Sequence, residues 1–347
     1  MATLKQIGAE LGLSAATVSR ALNGFPEVNK QTVERVREVA DRIGYRPNRI
    51  AQRLVTGRSN MVGMIIKIRA DMSADQTFFE MLTGLTAALG ARDVDLVLAV
   101  DQDDDPLQPY RKLIERDILD GFLLNAPVPD DPRIAFLREK NIPFVMHGQS
   151  APDVDYACYG IDNAAVSEDA VRLLSSLGHK RIALINGQAR YTYAADRLRG
   201  FRQAVKAEGL TTPDPFIAQD AETENDGYTK ALEMLAGRDG ARPTAFVCAS
   251  TLIAAGVMRA AKDRGLTVPE DVSVIAHDDA LPQMKAVSFE PALTVTRAPL
   301  RDACAPLANL LVDLVGGATP QQKIDRAELI VRQSTGPVPA QESEPWP

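Results

Sequence analysis

Aromatic side chains make up only 5% of the chain, with one tryptophan, and cysteine and histidine occur three times each. Cys158, Cys248 and Cys304 stand far apart, without the paired spacing of a zinc or redox motif; they read as small core residues, and neither a metal nor a cofactor is expected. The histidines lie in unrelated contexts, and the chain has no Gly-rich phosphate loop, no HExxH and no nucleophile elbow, which argues against an enzyme. Long apolar runs are missing too. The longest weakly polar stretch, 245–258, is short for a membrane helix and divides at Ser250-Thr251 into a strand and a helix start. Met1-Ala2-Thr3-Leu4-Lys5 leads straight into an amphipathic pattern, so no signal peptide and a cytoplasmic location are expected.

Positive charge is scarce overall, 39 Lys and Arg against 46 Asp and Glu, yet it is unevenly placed. Residues 1–60 hold ten basic and five acidic side chains, a balance of +5, which leaves −12 for the rest of a chain whose total is −7. Only the head attracts a polyanion, and the acidic body repels one.

Within the head, Leu4, Ile7, Ala9 and Leu11 give a short apolar face, Gly12 supplies a turn, and Ser14 can cap a second helix with Val18, Ala21 and Leu22 inward. The opposite face keeps Ala15, Ala16, Thr17, Ser19 and Arg20, small or hydrogen-bonding groups that suit a helix in the major groove. After Asn23-Gly24-Phe25-Pro26, a third helix with Val33, Val36, Val39, Ala40 and Ile43 inward runs to Gly44. A plain three-helix bundle shares this pattern. The segment after it is more specific: Pro47 can start a helix, but residues 48–55 are too short to be stable alone and need a partner or DNA to fold. Arg49 and Arg53 suit phosphates, and Leu54, with no core of its own, suits a wedge between base steps; the plain alternative is a linker with one stray leucine.

The chain resembles the lactose-repressor family of bacterial transcription regulators, from Thr3 to about Thr335. The residues that carry the likeness in the head are Thr3-Leu4-Lys5-Gln6-Ile7, Gly12-Leu13-Ser14, Thr17-Val18-Ser19-Arg20-Ala21-Leu22-Asn23, Gly44-Tyr45-Arg46-Pro47-Asn48 and Ala51-Gln52-Arg53-Leu54. The resemblance implies that Ala15, Ala16 and Arg20 address base edges, that Thr17, Ser19 and Asn23 address the backbone, and that Leu54 enters the central step of a near-palindromic operator. Thr3, Leu4, Ser14, Asn48, Arg49, Ala51 and Arg53 complete the expected DNA-binding set. A homodimer is expected, because one head reads only a half-site. The proline-rich acidic tail shows no heptads and so no tetramerising helix.

Beyond residue 60, strands at 61–68, 94–100, 121–125 and 142–147 alternate with helices at 78–92, 109–116 and 131–140. The alternation restarts with a helix at 162–177 and passes through 181–185, 197–208, 227–236, 244–248, 253–264 and 272–276. The expected fold is therefore a small all-α helix-turn-helix headpiece with a hinge helix, joined to two doubly wound parallel-sheet lobes like those of periplasmic binding proteins. The expected divisions are 1–46 for the headpiece, 47–60 for the hinge, 61–160 with about 290–319 for the first lobe, 161–289 with about 320–336 for the second, and a disordered tail at 337–347.

Such sheets bind ligands at the carboxyl ends of their strands, so two facing lobes define a cleft. Phe78, Phe79, Asn125, His147, Tyr193, Ser250 and His277 fall in or near the post-strand loops and suit a ligand dense in hydroxyls. Core packing for the two phenylalanines and a buried, satisfied imidazole for His277 remain open, and Asp279 reads as a helix cap. By the resemblance, Arg197 in Arg197-Leu198-Arg199-Gly200-Phe201 and Asp278 in Ala276-His277-Asp278-Asp279 stand where the family binds its effector. The chain departs from the family at Ser250-Thr251 and at Ala276-His277, which leaves the effector open. Pro143-Phe144-Val145-Met146-His147-Gly148-Gln149 resembles the version in regulators of sugar, notably glucoside, utilisation. A sugar-released repressor is expected, the alternatives being a regulator with a purine corepressor and an exported sugar-binding protein.

Overall fold

A reciprocal capping box starts the first helix, α1 (Leu4–Leu11): Gln6 N donates to Thr3 Oγ1 at 3.3 Å and Thr3 N to Gln6 Oε1 at 2.8 Å. Gly12, at φ +69°, ends it in the left-handed conformation that glycine adopts without strain. Ser14 Oγ then accepts from Thr17 N at 3.0 Å to cap α2 (Ala15–Leu22), and Asn29 caps α3 (Lys30–Arg42). Ile7, Val18, Ala21, Val36, Val39 and Ala40 form the core they share. One inward position differs from the sequence reading. Ala9 is exposed and Gly8 is buried, because the 3.6-residue stripe runs Leu4, Ile7, Gly8, Leu11.

The computed structural model describes residues 2–45, 57–67, 76–101, 105–237 and 242–338; the hinge residues 46–56 lie outside that set. Two units separate by their internal packing, Met1–Met61 with Asp117–Asp120, and Val62–Arg116 with Gly121–Pro347. In the first, the Asp120 carboxylate accepts from Ser59 N at 2.8 Å, Ser59 Oγ at 2.8 Å and Asn60 N at 2.7 Å, fixing the run that precedes the first strand.

The larger unit holds two six-stranded sheets. The chain runs β1 (Met61–Lys67), α4 (Gln76–Gly90), β2 (Asp95–Asp101), α5 (Gln108–Glu115), β3 (Gly121–Leu124), α6 (Pro132–Glu139), β4 (Phe144–His147) and β5 (Ala157–Ile161). It continues through α7 (Asn163–Ser176), β6 (Ile182–Ile185), α8 (Thr192–Ala207), β7 (Ile217–Ala218), α9 (Glu224–Leu235), β8 (Ala245–Cys248), α10 (Thr251–Asp263) and β9 (Ser273–Asp278). It ends in β10 (Thr294–Arg297), α11 (Leu300–Val315), β11 (Gln322–Asp325) and β12 (Glu328–Ile330). The sheet orders are β11-β5-β4-β3-β1-β2 and β12-β10-β9-β8-β6-β7, so each lobe repeats one doubly wound plan with its switch points at β1/β3 and β6/β8.

The lobe boundaries differ from the sequence reading at the C-terminal crossings. β10 pairs parallel with β9, so the second lobe keeps the chain to Arg297; α11 then packs Leu300, Cys304, Leu307 and Leu311 into the first-lobe core. β11 pairs with β5 in the first sheet before β12 returns to β10. Long-range pairing decides these edges, and a local apolar pattern does not carry it. α8 also begins five residues before Arg197, since Tyr191 offers no side-chain cap to mark the start. The tail is held further than expected: Val338 N donates to Leu177 O at 2.9 Å, and His179 Nε2 lies 3.0 Å from the Gly336 carbonyl. All three cysteines are buried, and no helix among the described residues is long and apolar enough to cross a membrane.

Candidate functional site

On the headpiece, burial of Val18 and Ala21 turns Ala16 and Arg20 outward, one helical turn apart. Ala15, Thr17 and Ser19 are half-buried beside them, and Asn23 Nδ2 donates to Ser19 Oγ at 3.3 Å. Thr3 and Ser14 are exposed at the starts of α1 and α2, while Leu4 leans on the core. Asn48, Arg49, Ala51, Arg53 and Leu54 fall outside the described residues.

In the larger unit the strand ends of the second lobe converge on Arg197, a buried guanidinium on α8. Its Nε donates to Asn163 Oδ1 at 2.9 Å and its Nη1 to the Ala249 carbonyl at 2.8 Å, while its Cζ lies 5.2 Å from the Tyr193 ring centre. Gly200, one turn on, permits this: a Cβ there would stand 2.1 Å from the Ala164 carbonyl, so α8 lies close against α7 and brings Arg197 to Asn163. Burial lowers the Arg197 pKa, and the negative charge of Asp279 opposes that. The guanidinium stays charged.

His277 and Asp279 leave β9 on the same side, as strand alternation requires. His277 Nδ1 lies 3.2 Å from Thr296 Oγ1 and its Nε2 is 3.5 Å from Asp279 Oδ1. Burial pushes the imidazole pKa down, the positive charge of Arg197 adds to that, and Asp279 opposes both. For Asp279 burial acts upward, but the neighbouring His277 ring and the charge of Arg197 outweigh it, leaving the carboxyl below its ordinary range. His147, at the end of β4 in the first lobe, is pushed down to about 4 by burial against the charge of Asp279. The lobes also touch where Thr192 N and Thr192 Oγ1 both donate to the Pro127 carbonyl at 3.1 Å. Arg133, paired with buried Asp131, steadies that loop by donating to the Asn125 carbonyl at 3.1 Å.

Tyr193, Arg197, His277 and His147 are thus brought together, and Asp279 joins them. Asp278 makes other contacts: it accepts from Ala280 N at 2.7 Å and lies 3.8 Å from Arg297. Ser250 caps α10 through Ile253 N at 3.2 Å. Phe78 and Phe79 pack edge to face at 5.4 Å, Phe78 against the first-lobe core and Phe79 49% exposed.

Comparison with known proteins bears on both units. The profile described as "Bacterial regulatory proteins, lacI family" matches residues 3–48, and that of a periplasmic binding protein-like domain matches 171–335. The HTH-type transcriptional regulator AglR of Rhizobium meliloti is 42% identical over 99% of this chain and 97% of its own length. The chain belongs to the lacI family of bacterial regulatory proteins.

As a LacI-family protein it is a DNA-binding transcriptional regulator, not an enzyme. The regulator RafR of Escherichia coli is 32% identical over 92% of this chain and 94% of its own. A solved complex of the regulator CelR with cellobiose superimposes with a TM-score of 0.71 at 28% identity, covering 96% of this chain and all of that one. That likeness extends to both doubly wound lobes. Two polar residues beside Arg197 were missed by sequence reasoning: Asn163, which accepts from its Nε, and Asn186, which lines a cavity with it. Each is a polar group just beyond a strand end, the signal already applied to Asn125 and Ser250.

Proposed function

We propose that this regulator represses genes of carbohydrate uptake or catabolism, binding a near-palindromic operator as a dimer in the cytoplasm and leaving it when a small sugar occupies the cleft between the lobes. Ala15, Ala16 and Arg20 read base edges, while Thr3, Leu4, Ser14, Thr17, Ser19 and Asn23 set the position on the backbone. Asn48, Arg49, Ala51 and Arg53 bind along the hinge, and two Leu54 side chains wedge the central step.

The cluster of Arg197 and Asp279 beside the Tyr193 ring carries the effector reading. A fixed cation and a carboxylate bind adjacent hydroxyls, and an aromatic face packs on the apolar side of a pyranose. His147 brings the first lobe to the same cluster, so a ligand held there draws on both lobes. The CelR complex with cellobiose supports a disaccharide, and the sequence 143–149 favours an α-glucoside. Phe78, Phe79, Asn125, Ser250, His277 and Asp278 complete the proposed surround.

A thermal-shift screen of maltose, sucrose, trehalose, melibiose and cellobiose tests this reading. At least one sugar is expected to raise the melting temperature of the wild-type protein, and that sugar is expected to have no effect on Arg197→Ala or Asp279→Asn. If no sugar shifts the wild type, or both variants respond fully, the assignment fails.

A further inference from the structure

Arg197 lines a cavity of about 10 Å³ walled by α7 and by β6, β8, β9 and β10 of the second lobe. That volume takes one oxygen atom. Asn186, His277, Arg197 and Thr296 give it polar groups, and Val166, Leu184, Val247 and Ile275 supply much of the apolar wall. Two buried polar atoms, Asn186 Oδ1 and His277 Nε2, have no hydrogen-bond partner among the described residues, and both belong to side chains that line this space. Asn186 is fully buried and His277 only 2% exposed.

The donor and acceptor roles are set by the neighbours. Asn186 Nδ2 donates to the Ala194 carbonyl at 2.8 Å, and a carbonyl can only accept, so the amide presents its Oδ1 to the cavity. The Asp279 carboxylate on the Nε2 side favours the tautomer with its proton on Nε2, and the Thr296 hydroxyl, 3.2 Å from Nδ1, then donates to that nitrogen. At 3.5 Å the Asp279 carboxylate is beyond a good hydrogen bond to that proton. Among its lining groups, which include the Ser167 and Thr296 hydroxyls and Arg197, the two unpaired ones are an acceptor and a donor, the complement of a single hydroxyl group.

We infer that this cavity receives one hydroxyl of the effector, which donates to Asn186 Oδ1 and accepts from His277 Nε2, making Asn186 and His277 specificity-determining residues. The inference rests on the proposed sugar effector and narrows it. The effector carries a hydroxyl that projects past Arg197 into the second lobe, and a sugar lacking that one group leaves two buried polar atoms unpaired. An aromatic residue in place of His277 would supply no such donor unless it carried a hydroxyl or an indole N–H.

The test is calorimetry on the full-length protein with maltose, sucrose, trehalose, melibiose and cellobiose as probes. The tightest binder is then compared with its monodeoxy derivatives on wild type, Asn186→Leu and His277→Phe. One deoxy derivative is expected to bind the wild type at least about tenfold more weakly than its parent. That penalty is expected to shrink to threefold or less in each variant, while penalties for the other positions persist. A deoxy series that loses affinity evenly on the wild type overturns the inference without any variant, and leaves the cavity to a water of the protein's own. A penalty that is undiminished in both variants overturns it too. If none of the five sugars binds the wild type, the sugar reading itself falls and takes this inference with it.

Discussion

His147, His179 and His277 are all held neutral by their surroundings, and burial is the first cause in each case. In the unfolded chain these imidazoles take up protons near pH 6.5. In the folded protein they do so lower, His147 at about 4. The unfolded state therefore binds more protons in that window, so stability is complete above about pH 6.5 and is lost as pH falls toward 4. Asp279, its carboxyl held down, adds stability that disappears only at still lower pH. Melting temperature is expected to fall between pH 7.5 and 5, and the fall is expected to be smaller in His147→Gln; an equal fall in that variant removes His147 from the effect. The cluster around Arg197 was only partly legible at this scale. The resemblance names Asp278, which accepts from Ala280 N and lies near Arg297; the structure adds Asp279, just past the end of β9, whose carboxyl feels the charge of Arg197. Which of two adjacent carboxylates faces a neighbour depends on where a strand ends, and a one-residue difference in that end reverses the side.

Helices marked by a capping residue were readable almost to the residue. α3 carries Asn29 at its start and Gly44 just past its end, and α6 has Asp131 as its cap. α8 was less readable at its start because Tyr191 makes no cap bond, although that unmarked first turn contains Tyr193. β10, β11 and β12 take their places only through partners far away in the chain. The tightest demand at this scale falls on Gly200 between α7 and α8. Gly200→Ala is expected to cost about 2 kcal/mol in denaturant unfolding, because the added methyl meets a backbone carbonyl rather than a mobile side chain. Sugar affinity should fall with it, since Arg197 lies one turn earlier; unchanged stability contradicts the close crossing. The hinge is the other element with a sharp expectation. With Leu54 as the proposed wedge, Leu54→Ala is expected to weaken operator binding on the order of tenfold. Unaltered affinity in a gel-shift titration removes the wedge.

At the scale of the whole molecule, the basic head and acidic body divide two tasks, and repression requires that they be coupled. A ligand changes DNA affinity only by as much as it prefers one core geometry over another, and DNA changes ligand affinity by the same factor. Thr192 against Pro127 is a place where the lobes meet in this structure, so the proposed effector would act on a contact already formed. The most direct measurement takes a duplex selected from random DNA by the full-length protein and titrates it with and without the best-binding sugar. Affinity is expected to fall at least about fivefold with the sugar, within the usual range of coupling between sites, and to be unaffected by the sugar in Arg197→Ala. Equal affinity in the presence and absence of a sugar shown to be bound contradicts the account.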